Sequence, residues 1–129
     1  MTGKPRTVTL PGARTGLPIS PALVWENLVF VSGQVGKHPA TDAFEADIGA
    51  QTRQTLDNLK ALLEAAGTTL DKTLRMTVYM TDMQGEFAAM NAVFKEYFQG
   101  ALPARSTVGI SHLARPELKI EIDLVAYKD

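Results

Sequence analysis

The sequence predicts an α+β fold in which two helices pack on one face of a β-sheet. Two long segments carry apolar residues at helical spacing, and five others are rich in β-branched or alternating apolar residues. These segments follow one another in the order β-β-α-β-α-β-β, which favours a two-layer sandwich. The chain has 129 residues, the usual length of one domain, so we expect residues 1–129 to form a single domain.

The N-terminal region is predicted to be irregular. Residues 1–21 contain four of the seven prolines and three of the ten glycines, with a short strand expected at Thr7–Leu10. Two β-rich runs then flank Glu26 and Asn27, which predicts a hairpin whose second strand ends at Ser32. A loop is expected over Gly36–Asp42.

Two helices are predicted from apolar periodicity. The first follows Asp47, a suitable N-cap, and ends at Gly67, since glycine readily adopts the left-handed conformation. Its core-facing residues recur every three or four positions: Ile48, Thr52, Leu56, Leu59, Leu63 and Ala66. The second helix is expected over Gly85–Phe98, with an apolar stripe at Phe87, Met90, Phe94 and Phe98.

Three further strands complete the predicted sheet. Thr73–Thr81 alternates and places four apolar residues on one face: Leu74, Met76, Val78 and Met80. The last two strands are expected over Ala104–Ile110 and Lys119–Tyr127. The final strand also places its apolar residues on one face: Ile120, Ile122, Leu124 and Ala126.

The strand Leu28–Ser32 is apolar on both faces. The two helices can cover only one face of the sheet, so the second face requires another cover. A second copy of the chain is the simplest one, and we therefore expect a homo-oligomer.

Composition and charge exclude several functional classes. Thirteen Lys and Arg balance fourteen Asp and Glu, for a net charge of −1, which is unlike a protein that binds nucleic-acid phosphates. The chain has no cysteine and two separated histidines, His38 and His112, so a zinc site or a thiol nucleophile is not expected. It has no apolar stretch of about 20 residues, and residues 1–13 lack the apolar region typical of a secretory signal, so none is expected. We expect a cytoplasmic protein with both histidines at its surface.

Polar residues inside apolar patterns are candidates for a functional site. Asn91 lies on the apolar stripe of the second helix, where it either bonds the backbone of a neighbouring loop or contacts a ligand. Ser32 and Gly33 suit a strand end and turn, although glycine also lets a ligand approach the main chain.

Arg105 is the best candidate for anion binding. Pro103 fixes the start of a strand on which Arg105 and Thr107 share one face. A guanidinium beside a small hydroxyl suits bidentate binding of a carboxylate, and the alternative is a solvated or salt-bridged surface arginine. Glu121 faces away from the apolar row of the last strand and, taken alone, is an ordinary exposed carboxylate.

Six segments in order, spanning about Ser20 to Tyr127, resemble one known family, that of the RidA/YjgF reactive-intermediate (enamine/imine) deaminases. The segments are Val31–Val35, Gln51–Gly67, Val78–Asp82, Met90–Phe94, Pro103–Val108 and Ile120–Ala126. The resemblance implies a chorismate-mutase-like α+β sandwich with a mixed sheet, assembled as a homotrimer with three ligand clefts between subunits. It also implies a hydrolase that converts 2-aminoacrylate, 2-iminopropanoate and related 2-imino acids to 2-keto acids and ammonia, without metal or organic cofactor.

The resemblance also implies roles for individual residues, because these residues occupy matching positions in the family's motifs. Arg105 matches the arginine that binds the substrate carboxylate, and Glu121 matches the acidic residue that positions or activates the attacking water. The residues that match the substrate-binding lining are Ser32, Gly33, Asn91 and Thr107. A bound carboxylate would orient the adjacent imine carbon toward that water.

The chain departs from the family at Ala22, which stands where archetypal members carry a cleft tyrosine. This change weakens the expectation of efficient 2-aminoacrylate turnover and leaves room for a larger substrate. The alternative function is therefore a trimeric protein that binds a keto acid or an amino acid without efficient deamination. An RNA-directed activity is disfavoured by the balanced charge. A chorismate mutase would rest on fold alone, and a fold does not carry function.

Overall fold

The structure is a computed structural model that describes residues 3–13 and 16–129. In this part of the chain, six strands form one mixed sheet in the order β1-β2-β3-β6-β4-β5, with β4 and β5 parallel and the other neighbours antiparallel. The elements are β1 (Arg6–Val8), β2 (Ala22–Trp25), β3 (Leu28–Val35), α1 (Ile48–Ala66), β4 (Thr73–Met80), α2 (Met83–Tyr97), β5 (Ala104–Gly109) and β6 (Ile120–Tyr127). A short 3₁₀ turn over Leu70–Lys72 precedes β4. The predicted α+β sandwich is confirmed.

Side-chain capping explains where the helices begin. The Asp47 carboxylate accepts a hydrogen bond from the Ala50 amide at 3.0 Å, and Gly67 ends α1 in the left-handed conformation with φ of 93°, both as predicted. Helix α2 begins at Met83, two residues before the predicted start, because the Asp82 carboxylate caps it through the Gly85 amide.

The first hairpin forms as predicted, but its second strand is longer than expected. Glu26 adopts a left-handed φ of 54° in the turn. Strand β3 does not end at Ser32; it continues to Val35 through an irregularity between Val31 and Gln34. Such a bulge bends the strand and redirects its side chains without ending the pairing. Strand β1 is shorter than predicted and ends at Val8.

One face of the sheet packs against the helices and forms the core. The four predicted apolar residues of β6 are all buried there. Two residues predicted to lie in the core are exposed instead. Leu74 is 46% exposed because a register shift between Thr73 and Arg75 removes it from the alternation, and Phe87 is 39% exposed on α2.

The opposite face of the sheet, called the open face below, has no covering helix in the described residues. Phe30 is 41% exposed on β3, and further apolar side chains are exposed at Trp25, Val108 and Tyr127. As expected, the described part of one chain leaves this second face of the sheet uncovered. No helix among residues 3–13 and 16–129 is long and apolar enough to cross a membrane.

The buried side chain of Gln51 joins three segments of the chain. Its Nε2 donates to the carbonyls of Glu45 at 2.7 Å and Glu117 at 2.8 Å, and its Oε1 accepts from the Lys119 amide at 2.9 Å. Lys119 directly precedes β6. Gln51 therefore fixes the start of the strand that carries Glu121.

Replacing Gln51 with leucine is expected to lower the free energy of unfolding by about 2–3 kcal/mol, because two part-buried carbonyls and one amide lose their partner. Urea unfolding at a fixed protein concentration measures this loss. Gln84 is exposed on α2, and Gln84→Leu is the matched control, expected within about 0.5 kcal/mol of wild type. Equal losses in the two variants would contradict the role of Gln51.

Candidate functional site

A depression of about 700 Å³ lies on the open face and contains three of the predicted site residues. Ser32 and Gly33, at the irregularity of β3, line it together with Glu121 of β6. The remaining lining residues are Ile19, Ser20, Leu23, Phe30, Val31 and Asp123. The depression thus combines an apolar wall with carboxylates and small polar groups.

Glu121 occupies the space that a side chain at position 33 would fill. A Cβ built on Gly33 would overlap Glu121 Oε2 and would lie 2.9 Å from its Cδ. The carboxyl is half-buried, and this burial, followed by the negative charge of Asp123, raises the pKa of Glu121. Glu121 is therefore not an ordinary exposed carboxylate, and Gly33 is the residue that admits it.

Ser32 connects β3 to the segment before β2. Its Oγ donates to the Ser20 carbonyl at 2.6 Å, and its amide donates to the Pro21 carbonyl at 2.9 Å. The hydroxyl proton is thus engaged in holding the rim of the depression. This geometry supports the structural interpretation of Ser32 while leaving its oxygen at the site.

Ala22 does not line the depression. It is 1% exposed and lies on the core face of β2, where a tyrosine would have to enter the packed interior. Ile19, which is 62% exposed, is the most exposed of the residues near Ala22 that line the depression. The assignment of Ala22 to the cleft position is wrong because strand alternation turns it toward the helices.

Arg105 lies on the other face of the sheet, beside α2. Its guanidinium carbon is 4.8 Å from the Phe94 ring centroid and 6.0 Å from that of Phe87, and its Nη1 is 3.8 Å from Met90 Sδ. Burial lowers the pKa of Arg105, although a guanidinium stays charged near neutral pH. None of the ion pairs among the described residues includes Arg105. The expectation of a salt-bridged or fully solvated arginine is therefore wrong here.

Thr107 and Asn91 accompany Arg105. Thr107 pairs with Val78 of β4 and so shares the helix-facing side with Arg105, as predicted. Asn91 lies one helical turn from Phe87 and is half-buried. No side-chain hydrogen bond of Asn91 occurs within the described part of the chain, so the interpretation as a bond to a loop backbone gains no support there, and that as a ligand contact stays a prediction. The Asn91 amide and the Arg105 guanidinium, which has no acidic partner among the described residues, thus lie on the same side of the sheet.

The six predicted site residues form two groups on opposite faces of the sheet. Glu121 is the cross-strand neighbour of Tyr79 on the open face, whereas Arg105 is the neighbour of Met76, which faces the helices. One chain cannot place both side chains around one small ligand. The open face also holds a pair that the sequence did not indicate, in which Tyr79 Oη donates to Asp123 Oδ2 at 3.0 Å.

The histidines do not contribute to either group. His38 and His112 are exposed, as predicted. No cluster of three or more potential metal ligands occurs among residues 3–13 and 16–129.

Comparison with known proteins gives a consistent set of relatives. The family model described as Endoribonuclease L-PSP matches residues 14–128. A RutC family protein of Pyrococcus horikoshii is 45% identical over 113 residues, 87% of this chain and 88% of the relative. The 2-iminobutanoate/2-iminopropanoate deaminase of Escherichia coli K12 is 38% identical over 105 residues, 79% of this chain and 80% of the relative.

Solved structures show the same similarity across the fold. The YjgF gene product of E. coli superposes with a TM-score of 0.86 at 34% identity, over 96% of this chain and 99% of that one. E. coli TdcF with bound serine superposes with a TM-score of 0.88 at 31% identity, with the same two coverages of 96% and 99%.

Replacing Gly33 with alanine is expected to displace the Glu121 carboxylate toward solvent and so to lower the raised pKa of Glu121, since burial is its main cause. A ¹³C NMR titration of the Glu121 carboxyl measures this change. Gly100→Ala is the control, because a Cβ there meets no atom within 4 Å. An unchanged Glu121 titration in Gly33→Ala would contradict the steric role of Gly33.

Glu121→Gln is expected to stabilise the fold at pH 7. Because the folded-state pKa of Glu121 is raised, the stability that this carboxyl contributes in acid is lost as the pH rises through that pKa. An amide avoids this loss, so the variant should exceed wild type at neutral pH and match it below about pH 4. Thermal unfolding at the two pH values measures the difference, with exposed Glu64→Gln as control; no gain at pH 7 would contradict the prediction.

Proposed function

The chain belongs to the RidA/YjgF family, and we propose that it is a hydrolase that converts 2-imino acids to 2-keto acids and ammonia. The observation that carries this proposal is the half-buried Arg105 guanidinium, which has no acidic partner among the described residues. A cation held on two aromatic rings without a counter-ion is suited to an anionic ligand. The similarity to the E. coli 2-iminobutanoate/2-iminopropanoate deaminase supports an imino acid as that ligand.

Arg105 binds the substrate carboxylate in this proposal. The contacts with Phe94 and Phe87 fix the plane of the guanidinium, so two N–H groups can bond the two carboxylate oxygens. The imine carbon is attached to the carboxylate and is therefore oriented with it. Serine, which is bound in the TdcF structure, carries the same α-carboxylate and supports this assignment.

Glu121 acts as the base and then as the acid. Its raised pKa suits it to take a proton from water while the water oxygen bonds to the imine carbon, and it passes this proton to the nitrogen as the C=N π pair moves there, which gives a neutral carbinolamine. The carbinolamine collapses when Glu121 takes the hydroxyl proton and delivers it to the nitrogen, so that the C=O bond forms, the C–N bond breaks and the nitrogen leaves as ammonia. The hydroxyl oxygen becomes the keto oxygen, so one water is consumed and one ammonia is released.

The reacting site forms between two copies of the chain. Arg105 and Glu121 lie on opposite faces of one sheet, so an imino acid can contact both only if they come from different chains. The exposed apolar residues of the open face, including Phe30, Trp25 and Val108, supply a surface for such an assembly. We propose the homotrimer with three clefts that the family resemblance implies.

The open-face depression favours substrates with an apolar side chain. Ile19, Leu23 and Phe30 line it beside Glu121. Ethyl or methyl groups, as in 2-iminobutanoate or 2-iminopropanoate, match this wall better than charged side chains do.

Binding without turnover is the second candidate function, and Ile19 favours it. An isoleucine beside Glu121 can neither donate nor accept a proton, so the conversion of an enamine to its imine lacks a tyrosine at this place. A keto acid or an amino acid would then bind Arg105 as its ligand. Turnover by the wild type excludes this candidate.

Arg105→Ala and Glu121→Ala are each expected to lower imine hydrolysis by at least about 100-fold, because one loses carboxylate binding and the other loses the base. The assay generates imino acids of several side-chain sizes with an amino-acid oxidase and follows the remaining imine with a trapping amine. Arg53→Ala and Glu64→Ala, which change exposed residues of α1, are the charge-matched controls. Imine decay equal to the protein-free control for every side chain would overturn the proposed catalysis.

Mixing the two inactive variants tests whether the site is shared. If each cleft takes Arg105 from one chain and Glu121 from another, random co-assembly of equal amounts restores both residues in about a quarter of the clefts. Co-expressed Arg105→Ala and Glu121→Ala chains are therefore expected to recover about a quarter of wild-type activity. No recovery, with mixed assembly verified by mass spectrometry, would contradict a site between chains.

A further inference from the structure

A hydrogen-bonded pair on the open face lies directly beside Glu121. Tyr79 of β4 is the cross-strand neighbour of Glu121, and Asp123 follows Glu121 by two positions on the same face of β6. Tyr79 Oη donates to Asp123 Oδ2 at 3.0 Å, so the phenol reaches diagonally across the strands. Asp123 and Glu121 line the same depression.

The other elements around Glu121 bring no cation to it in the described part of the chain. Strand β3 presents Ser32 and Gly33, and the segment before β2 presents Ile19 and Ser20. Lys119 precedes Glu121 by two positions, but its Nζ contacts Glu86 Oε2 on α2 at 3.1 Å. Asp123 and Tyr79 are thus the titratable groups that face Glu121.

We propose that Tyr79 and Asp123 are positioning residues for the hydrolysis, in which Tyr79 fixes the position of the Asp123 carboxylate beside Glu121 and Asp123 thereby strengthens Glu121 as a base. The inference rests on the proposed function for its role in catalysis. The coupling between the two carboxyls stands on the geometry and can be measured without turnover.

The hydrogen bond distinguishes the two carboxyls. Tyr79 Oη holds the Asp123 carboxylate in place, whereas Glu121 accepts no such bond among the described residues. The negative charge held beside Glu121 disfavours a second charge there and adds to burial in raising the pKa of Glu121. The pKa of Tyr79 is raised by the same hydrogen bond, as expected for a phenol that donates to a carboxylate.

Asp123→Asn tests the coupling because it removes the charge and keeps an oxygen that can accept from Tyr79. The ¹³C titration of the Glu121 carboxyl in the intact protein is expected to move to lower pH. Asp57→Asn is the matched control, since Asp57 accepts from Tyr97 Oη at 2.8 Å in a similar pair on the helices. An unchanged Glu121 titration in Asp123→Asn, or an equal shift in Asp57→Asn, would overturn the proposal.

The pH profile of imine hydrolysis tests the role in catalysis. The acidic limb of kcat/KM is expected to shift to lower pH in Asp123→Asn, with a loss of about threefold to tenfold at the wild-type optimum. A merely structural role would lower the rate without moving the limb, and that result would overturn the positioning role. One outcome is that neither the wild type nor any variant turns over imine even though Asp123→Asn shifts the Glu121 titration. In that case the proposed function fails and the coupling between the two carboxyls stands.

Tyr79→Phe provides a second variant if Asp123→Asn folds poorly. Tyr79→Phe is expected to change the titration of Glu121 in a protein that retains Asp123. In a protein that already carries Asp123→Asn, Tyr79→Phe is expected to cause no further change in this titration. Additive effects of the two substitutions would overturn the inference that Tyr79 acts through Asp123.

Discussion

The alternation of side chains along the strands is the constraint on which the rest of the structure depends. Strand β6 buries four apolar residues against the helices, and this places Glu121 and Asp123 on the open face. In β5, the same alternation turns Arg105 toward α2. The registers of both strands against β4 are fixed because a one-residue slip would expose the buried apolar row. The separation of Arg105 from Glu121 is therefore a property of the fold rather than of their rotamers.

Three features that raise the free energy of a single chain are the ones that the proposed assembly would use. Phe30 remains exposed on the open face, Arg105 is half-buried with no acidic partner among the residues that the structure describes, and Glu121 is held in a place that disfavours its charge. Functional sites commonly carry such local costs, and the remaining core compensates for them. A partner chain on the open face would bury the apolar residues, and a bound carboxylate would satisfy Arg105. The same contacts would thus complete the site and lower these costs.

Much of the fold follows from local sequence, whereas the geometry of the site does not. Local contacts between neighbouring residues form the helix caps at Asp47 and Gly67 and the hairpin turn at Glu26. The local sequence therefore predicts all three. The bulge in β3 and the exposure of Leu74 depend on how strands pair, which periodicity does not encode. The motif alone places the missing tyrosine at Ala22. Only the register of the strands shows that Ala22 enters the core. The bonds of Gln51 and the Tyr79–Asp123 pair join distant segments and leave no local signal either.

The proposed site between chains would separate the two tasks of the proposed reaction. Arg105 and its aromatic support depend on α2 and β5, whereas Glu121 and its anionic neighbour depend on β3, β4 and β6. Each group is completed within one fold, but in the proposed assembly the interface would set the distance between them. A side chain at this interface could then alter the orientation of the imine without changing the proposed carboxylate-binding residue or the proposed base. Because orientation and proton transfer would depend on different contacts, the substrate range could change at Ile19 and along the interface while the proposed role of Glu121 is kept.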